Sequence, residues 1–250
     1  MRQHSLVSSL LSWTVALSVA GVAGAQPVPA EPIPAAFPPL IVEAESGLIG
    51  ADFTTVVAGG VTAVTVLPSA ATPDFPGSAA RVLSYDIQFP ASGEYELYVR
   101  FRVGPGAGAD DSMFYGSGFG ARDPLTESAW VTVNGLSNVG YTVPELIVGG
   151  GLGIPLGNGY RWINLSEYTA GGEAPLRFSV AEDALEQTVQ LGAREDGVEI
   201  DKLAFVASDV SQLVAELDAG LPGHVLPPQP PPRTCTPRGP VLAANQSKFL

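Results

Sequence analysis

Across residues 40–206, short runs of β-branched and aromatic residues alternate with Gly, Pro, Asn and Asp. The clearest runs are 61–67, 81–89, 94–103, 130–133, 160–165, 176–180, 188–193 and 200–206. Many short strands at this spacing predict an antiparallel sandwich or barrel. The run 94–103 shows the pattern best. Tyr95, Leu97, Val99, Phe101 and Val103 point one way, and Glu94, Glu96, Tyr98, Arg100 and Arg102 the other, so one face is expected in the core and the other in water. Pro90-Ala91-Ser92-Gly93 reads as a turn, which predicts a hairpin of 81–89 with 94–103. Trp130 is expected inside the sandwich, with Asn134-Gly135 turning the chain after 130–133. After Val206 the period changes. Ser208 is expected to cap a short helix through Leu217, with Val210, Leu213, Val214 and Leu217 on one face and Gly220-Leu221-Pro222-Gly223 ending it.

The two ends read differently. Residues 1–25 have the three-part order of a signal peptide: Arg2 near the start, an apolar run 10–22, then Ala23-Gly24-Ala25 before Gln26. The 13-residue apolar run falls short of the roughly 18–20 that a bilayer needs, so secretion with cleavage after Ala25 is expected, and no membrane association after cleavage. Residues 26–39 hold six prolines in fourteen positions and read as a spacer. At the other end, 207–221 carries the short helix and 222–240 a Pro-rich linker around Pro227-Pro228-Gln229-Pro230-Pro231-Pro232, a stiff segment of the kind that spaces independently folded modules.

A formal charge of −13, from 25 acidic against 12 basic residues, makes nucleic acid an unsuitable partner and leaves carboxylates for Ca²⁺. Cys235, in the linker, is the only cysteine, so an intrachain disulfide is excluded. The only histidines, His4 and His224, lie in the leader and beside the linker, which leaves a Ser-His-Asp triad, a Cys-His pair and a His-based zinc site without support. Gly116-Ser117-Gly118-Phe119-Gly120 lacks the Lys of a phosphate loop. A glycosidase needs only two carboxylates, so composition leaves that chemistry open. No catalytic residue is assigned.

The first and last strands carry the most informative pattern. Glu43 and Glu45, in Val42-Glu43-Ala44-Glu45, are two apart on a strand and are expected on one face, where their charges repel unless a cation joins them. Asp201, on the closing strand Ile200-Asp201-Lys202, joins them if that strand lies beside the first. Three carboxylates with backbone carbonyls make an oxygen-only site suited to structural Ca²⁺, against the alternative of solvated strand-end acids. Sugar binding needs flat aromatic rings flanked by hydrogen-bonding side chains. Three segments qualify: Asp110-Asp111-Ser112-Met113-Phe114-Tyr115, Tyr160-Arg161-Trp162 and Arg194-Glu195-Asp196-Gly197. The candidate ligand contacts are therefore Asp111, Tyr115, Trp162, Arg194 and Asp196. Trp162 equally suits a core position, and Arg194 with Asp196 equally suits a structural ion pair stiffening a turn.

The EAE opening, the closing IDK strand, the D-S-aromatic strand and the R-E-D-G-x-x-I-D-K turn resemble the β-sandwich carbohydrate-binding modules of families 6 and 35. The resemblance implies a galactose-binding-like jelly roll with calcium on Glu43, Glu45 and Asp201. Gly239-Pro240-Val241-Leu242-Ala243-Ala244 with Lys248-Phe249-Leu250 resembles the opening of family 10 glycoside hydrolases, the endo-β-1,4-xylanases, and implies that 241–250 begins such a domain, cut short at Leu250. Together these predict an all-β, jelly-roll-like antiparallel β-sandwich. It is expected to be a secreted monomeric module, non-catalytic and calcium-stabilised, that binds plant cell-wall polysaccharide, with xylan the expected glycan, and targets an attached hydrolase. The rival readings are an active glycosidase and a structural or protein-docking domain. Convergence of Tyr115, Trp162 and Arg194 on one exposed surface separates the module from its rivals.

Overall fold

The structure is a computed structural model that describes residues 37–66, 74–153, 158–168 and 176–226. The expected signal peptide, most of the spacer, the polyproline segment with Cys235 and the xylanase-like tail lie outside the described residues. The strands are β1 (Leu40–Glu43), β2 (Leu48–Ile49), β3 (Phe53–Ala58), β4 (Val61–Val66), β5 (Val82–Gln88), β6 (Gly93–Arg102), β7 (Met113–Gly116), β8 (Trp130–Val133), β9 (Arg161–Asn164), β10 (Phe178–Val180), β11 (Glu186–Ala193), β12 (Glu199–Ala207), β13 (Val210–Ser211) and β14 (His224–Val225). One short helix, α1 (Val214–Ala219), lies between β13 and β14.

Two antiparallel sheets form the sandwich. The larger has the order β10-β6-β12-β4-β3, with β1 added on β12 and β9 on β6, and the smaller has the order β2-β5-β11-β7-β8. The chain passes back and forth between them: β4 in the larger, β5 in the smaller, β6 in the larger, β7 and β8 in the smaller, β9 and β10 in the larger, then β11 and β12. This is the jelly-roll-like, all-β sandwich that the strand pattern predicts. The predicted hairpin of 81–89 with 94–103 is corrected. β5 pairs with β11 and β2, while β6 pairs with β12, β9 and β10, so the turn at Pro90 carries the chain from one sheet to the other. The reason is burial on facing surfaces: Leu83, Tyr85 and Ile87 of β5 and Tyr95, Leu97, Val99 and Phe101 of β6 fill the same core. A hairpin β3–β4, closed by Gly59 and Gly60 at φ 61° and 83°, has the two-residue loop whose twist matches that of its strands.

Phe89, Tyr95, Phe119, Phe178 and Phe205 form an edge-to-face cluster within the core, with Phe89–Phe205 centroids 5.2 Å apart and Phe178–Phe205 5.5 Å apart. Trp130 packs against Val82 and Phe114 on the outside of the smaller sheet rather than between the sheets, and its indole N–H donates to the Asp123 carbonyl at 2.9 Å.

The second face of β6 is the main departure from the expected wet surface. Tyr98 and Glu96 are buried, and Tyr98, Trp162, Ala204 and Val206 form a second cluster with Val210, Val214 and Leu217. The covering layer is the chain from β13 to β14, with Val210 opposite Val225 and Ser211 opposite His224. The helix is thereby shortened. Residues 210–211 are drawn into a strand, and α1 begins after Leu213, whose N–H donates to Glu216 at 2.8 Å, rather than at Ser208. Gly220, at φ 63°, ends it.

Phe205 is 1% exposed at the centre of the aromatic cluster. Phe205→Ala is expected to lower unfolding free energy by about 3–5 kcal/mol in urea titration. A loss below about 1 kcal/mol would show that the core does not close around this ring.

Candidate functional site

The residues singled out for sugar contact do not meet on one surface. Tyr115 is 2% exposed in the core, where its hydroxyl donates to the Leu165 carbonyl at 3.4 Å. Trp162 is 1% exposed, and its indole N–H donates to Asp218 of α1 at 2.8 Å. Both are corrected from candidate platforms to packed residues; the alternation that made them candidates also makes them core, and the covering segment decides for Trp162. Asp111 is likewise buried. Its carboxylate accepts the N–H of Gly135 at 3.3 Å and of Ser137 at 3.1 Å, so it anchors the turn after β8. Arg194 donates to Ser112 at 2.7 Å and pairs with Glu195 at 3.1 Å, and the Glu195 carboxylate accepts the Asp111 N–H at 3.1 Å. Asp196 acts electrostatically on Arg81. Asp111, Arg194 and their neighbours thus lock two turns together at one end of the sandwich.

The metal triad is dispersed as well. β1 does lie beside β12, with Glu43 opposite Lys202. The Lys202 ammonium stands 2.7 Å from Glu43. A bulge between Ile200 and Lys202 leaves Asp201 as the extra residue, so Asp201 joins Lys202 on the outer face and pairs with Arg100. Glu45 lies past the end of β1 in a single 3₁₀ turn, where strand alternation no longer applies. Its Oε2 is buried without a hydrogen-bond partner, and its charge acts on Tyr85 of the smaller sheet. Among the described residues, no three His, Cys, Asp or Glu side chains are placed to hold one ion. The three acids do not fit a single calcium cage as they stand: two are neutralised by Lys202 and Arg100, and the third faces elsewhere.

What the outer face offers instead is a cleft of about 720 Å³ between the larger sheet, the loop before β9 and the covering C-terminal segment. β6 supplies Glu96 and Tyr98 to its floor; Glu167 follows β9, Arg177 precedes β10, and Tyr141, Ser208 and Asp209 complete the walls. Glu96 is 4% exposed and fully engaged. Asn164 donates to its Oε2 at 2.8 Å and Arg177 pairs with its Oε1 at 2.9 Å. Burial pushes its pKa above the usual carboxylate value, with the Asn164 hydrogen bond and Arg177 opposing and Glu167 reinforcing. Burial likewise raises the pKa of the Tyr98 hydroxyl, reinforced by Glu96 and Glu167, which keeps it neutral.

The run Gly149-Gly150-Gly151 forms the lip, and close approach requires it. A Cβ on Gly150 would stand 2.4 Å from the backbone of Glu167, and one on Gly153 would stand 2.4 Å from the Tyr141 ring. A Cβ on Gly149 would meet the Tyr141 hydroxyl at 3.2 Å and Glu167 Oε2 at 3.3 Å, so ring, hydroxyl and carboxylate flank the same point of the lip. The cleft therefore combines an aromatic ring, a guanidinium and several hydrogen-bond acceptors around an open volume. Sequence reasoning placed Glu96 on the wet face and left Tyr141, Glu167 and Arg177 unremarked. The glycine run beside Tyr141 is the one local signal of close packing there.

Two outcomes follow from these placements. Trp162→Ala is expected to cost about 3–5 kcal/mol of stability in urea unfolding, with Trp162→Phe recovering most of it, because the ring is packing under α1. Adding EDTA is expected to leave the thermal midpoint unchanged within about 1 °C; a calcium-dependent rise abolished by Glu45→Gln would instead place an ion at the unpartnered Glu45 oxygen.

No protein-family model matches the sequence, and no match is found among curated proteins. Solved structures are similar in part. The C-terminal family 6 carbohydrate-binding module of a marine laminarinase from Zobellia galactanivorans is 17% identical, with a TM-score of 0.39 over 67% of this chain and 98% of that one. A β-(1,4)-mannanase from Podospora anserina carrying a family 35 module is 15% identical, with a TM-score of 0.40 over 76% of this chain. An exo-β-1,3-galactanase from Phanerochaete chrysosporium is 12% identical, with a TM-score of 0.36 over 67% of this chain. The match spans 29% of the mannanase chain and 29% of the galactanase chain.

Proposed function

We propose that this chain is a secreted, non-catalytic glycan-binding module whose site is the outer-face cleft, and that it holds an attached hydrolase on plant cell-wall polysaccharide of the xylan type. The observation that carries the reading is the cleft itself. Its volume of about 720 Å³ falls within the range of roughly 300–1,000 Å³ typical of ligand sites. The Tyr141 ring offers an apolar face for a sugar, and Arg177, Glu167, Asp209 and Ser208 offer partners for hydroxyls. Glu96 has both oxygens committed to Asn164 and Arg177, which suits a positioning group that holds Arg177 rather than an acid that delivers a proton. The leader-like N-terminus and the xylanase-like tail, read from sequence, supply the secretory and xylan context. A protein-docking role is the second reading, favoured by the apolar rim of Ile147, 56% exposed, and Leu226, 43% exposed.

Calorimetric titration of the purified chain with xylo-oligosaccharides and cello-oligosaccharides tests the proposal. Binding at micromolar to millimolar Kd is expected, and Tyr141→Ala or Arg177→Ala is expected to weaken it at least tenfold, about 1.4 kcal/mol. Absence of heat with every glycan, together with specific capture of a protein partner, would transfer the cleft to the docking reading.

A further inference from the structure

We infer that the outer-face cleft selects neutral polysaccharide and rejects chains bearing uronic acids. This rests on the glycan-binding reading above and names the substrate class of the same site. The charged groups lining the cleft among the described residues are Glu96, Glu167, Asp209 and Arg177. Arg177, the one cation among them, is committed to Glu96 at 2.9 Å, and the buried Glu96 has Asn164 on its other oxygen. That pair is internally neutral. The charge a ligand meets is therefore that of Glu167 and Asp209, both exposed.

Glu167 is not a remote surface charge. It flanks the Gly149 lip together with the Tyr141 hydroxyl, and its charge is felt by both Glu96 and Tyr98 on the floor. A neutral sugar meets these carboxylates with hydroxyl hydrogens, which makes charge-assisted hydrogen bonds. A uronate brings a third carboxylate, and the one cation in the described lining, Arg177, already has its charge balanced by Glu96. The chain's formal charge of −13 adds long-range repulsion of the same sign. Attraction and rejection thus come from the same two side chains. Specificity of this kind is set as much by what is repelled as by what is held.

The test is calorimetric titration of the full chain with neutral xylohexaose, with xylo-oligosaccharide carrying glucuronic acid, and with oligogalacturonate. Each is run at low salt and near molar salt. Neutral xylohexaose is expected to bind at least tenfold tighter than either acidic oligomer at low salt, and the gap is expected to shrink in high salt, where the screening length falls to about 3 Å. The double substitution Glu167→Gln and Asp209→Asn is expected to raise affinity for the acidic oligomers at least fivefold. Equal or tighter binding of the acidic oligomers by the unmodified chain would overturn the selection while leaving the glycan site standing. Acidic-oligomer affinity unchanged by the double substitution would overturn the assignment to these two carboxylates. No binding of any oligomer would overturn the underlying glycan-binding reading, and the selection with it.

Discussion

β6 and β12 pair antiparallel from Glu199 opposite Arg102 to Ala207 opposite Tyr95, at the middle of the larger sheet. Both faces of this pair are used. Leu97, Val99, Phe101, Leu203 and Phe205 on one side enter the sandwich core, and Tyr98, Ala204 and Val206 on the other receive the C-terminal segment. A strand buried on both faces tolerates no register slip, because a one-residue shift would exchange the two sets. The bulge at Asp201 adjusts this register locally. It lets Ile200 and Leu203, three residues apart, both face inward, and it turns Asp201 and Lys202 together to the outside.

The outer face then orders its polar groups in rows along β6. Arg102 forms a forked pair with Glu199, which also accepts the Tyr160 hydroxyl at 2.6 Å, while both Arg100 and Arg102 lie over the Tyr160 ring. Arg100 bridges Asp201 of β12 and Asp218 of α1, and Asp218 also accepts from Trp162. Desolvation is the largest influence on Asp201 and raises its pKa, with Arg100 opposing it. Half-buried pairs of this kind add little net free energy, since desolvation offsets much of the attraction. Their directional hydrogen bonds do locate α1 on the sheet. That location closes one end of the outer face and leaves the cleft open at the other, where Glu96 holds Arg177.

Under the proposed reading, recognition would depend on side chains supplied by four separate parts of the chain around a floor of packed residues. The floor residues Glu96 and Tyr98 are buried on β6, and the lip packs closely against Tyr141 and Glu167 because it is glycine. The result places adaptable polar groups on a fixed base, the arrangement through which a binding site gains affinity without ordering its own framework on contact.

The alternation along 94–103, the β-branched runs and the turn residues between them were sufficient for the class of fold and for most strands, because side-chain period and turn chemistry are local properties. The period change after Val206 likewise announced a helix and its Gly220 end, though not its start. Partner strands were not legible in the same way. Whether β5 pairs with β6 or faces it across the core depends on which surface each shares with strands about a hundred residues away, such as β11 and β12. The polar face of β6 reads as solvent-facing in sequence, and only the C-terminal segment that covers Tyr98 shows part of it to be buried. Trp162 and Tyr115 carried the composition of a sugar platform, and only burial by distant elements showed them to be packing. The pairing of Arg100 with Asp201, 101 residues apart, and of Glu96 with Arg177 decided which charges remain for a ligand. Local sequence therefore determined most of the strands and the inward face of β6, and tertiary structure alone decided the site, because burial and charge neutralisation are properties of neighbours that the chain order does not name.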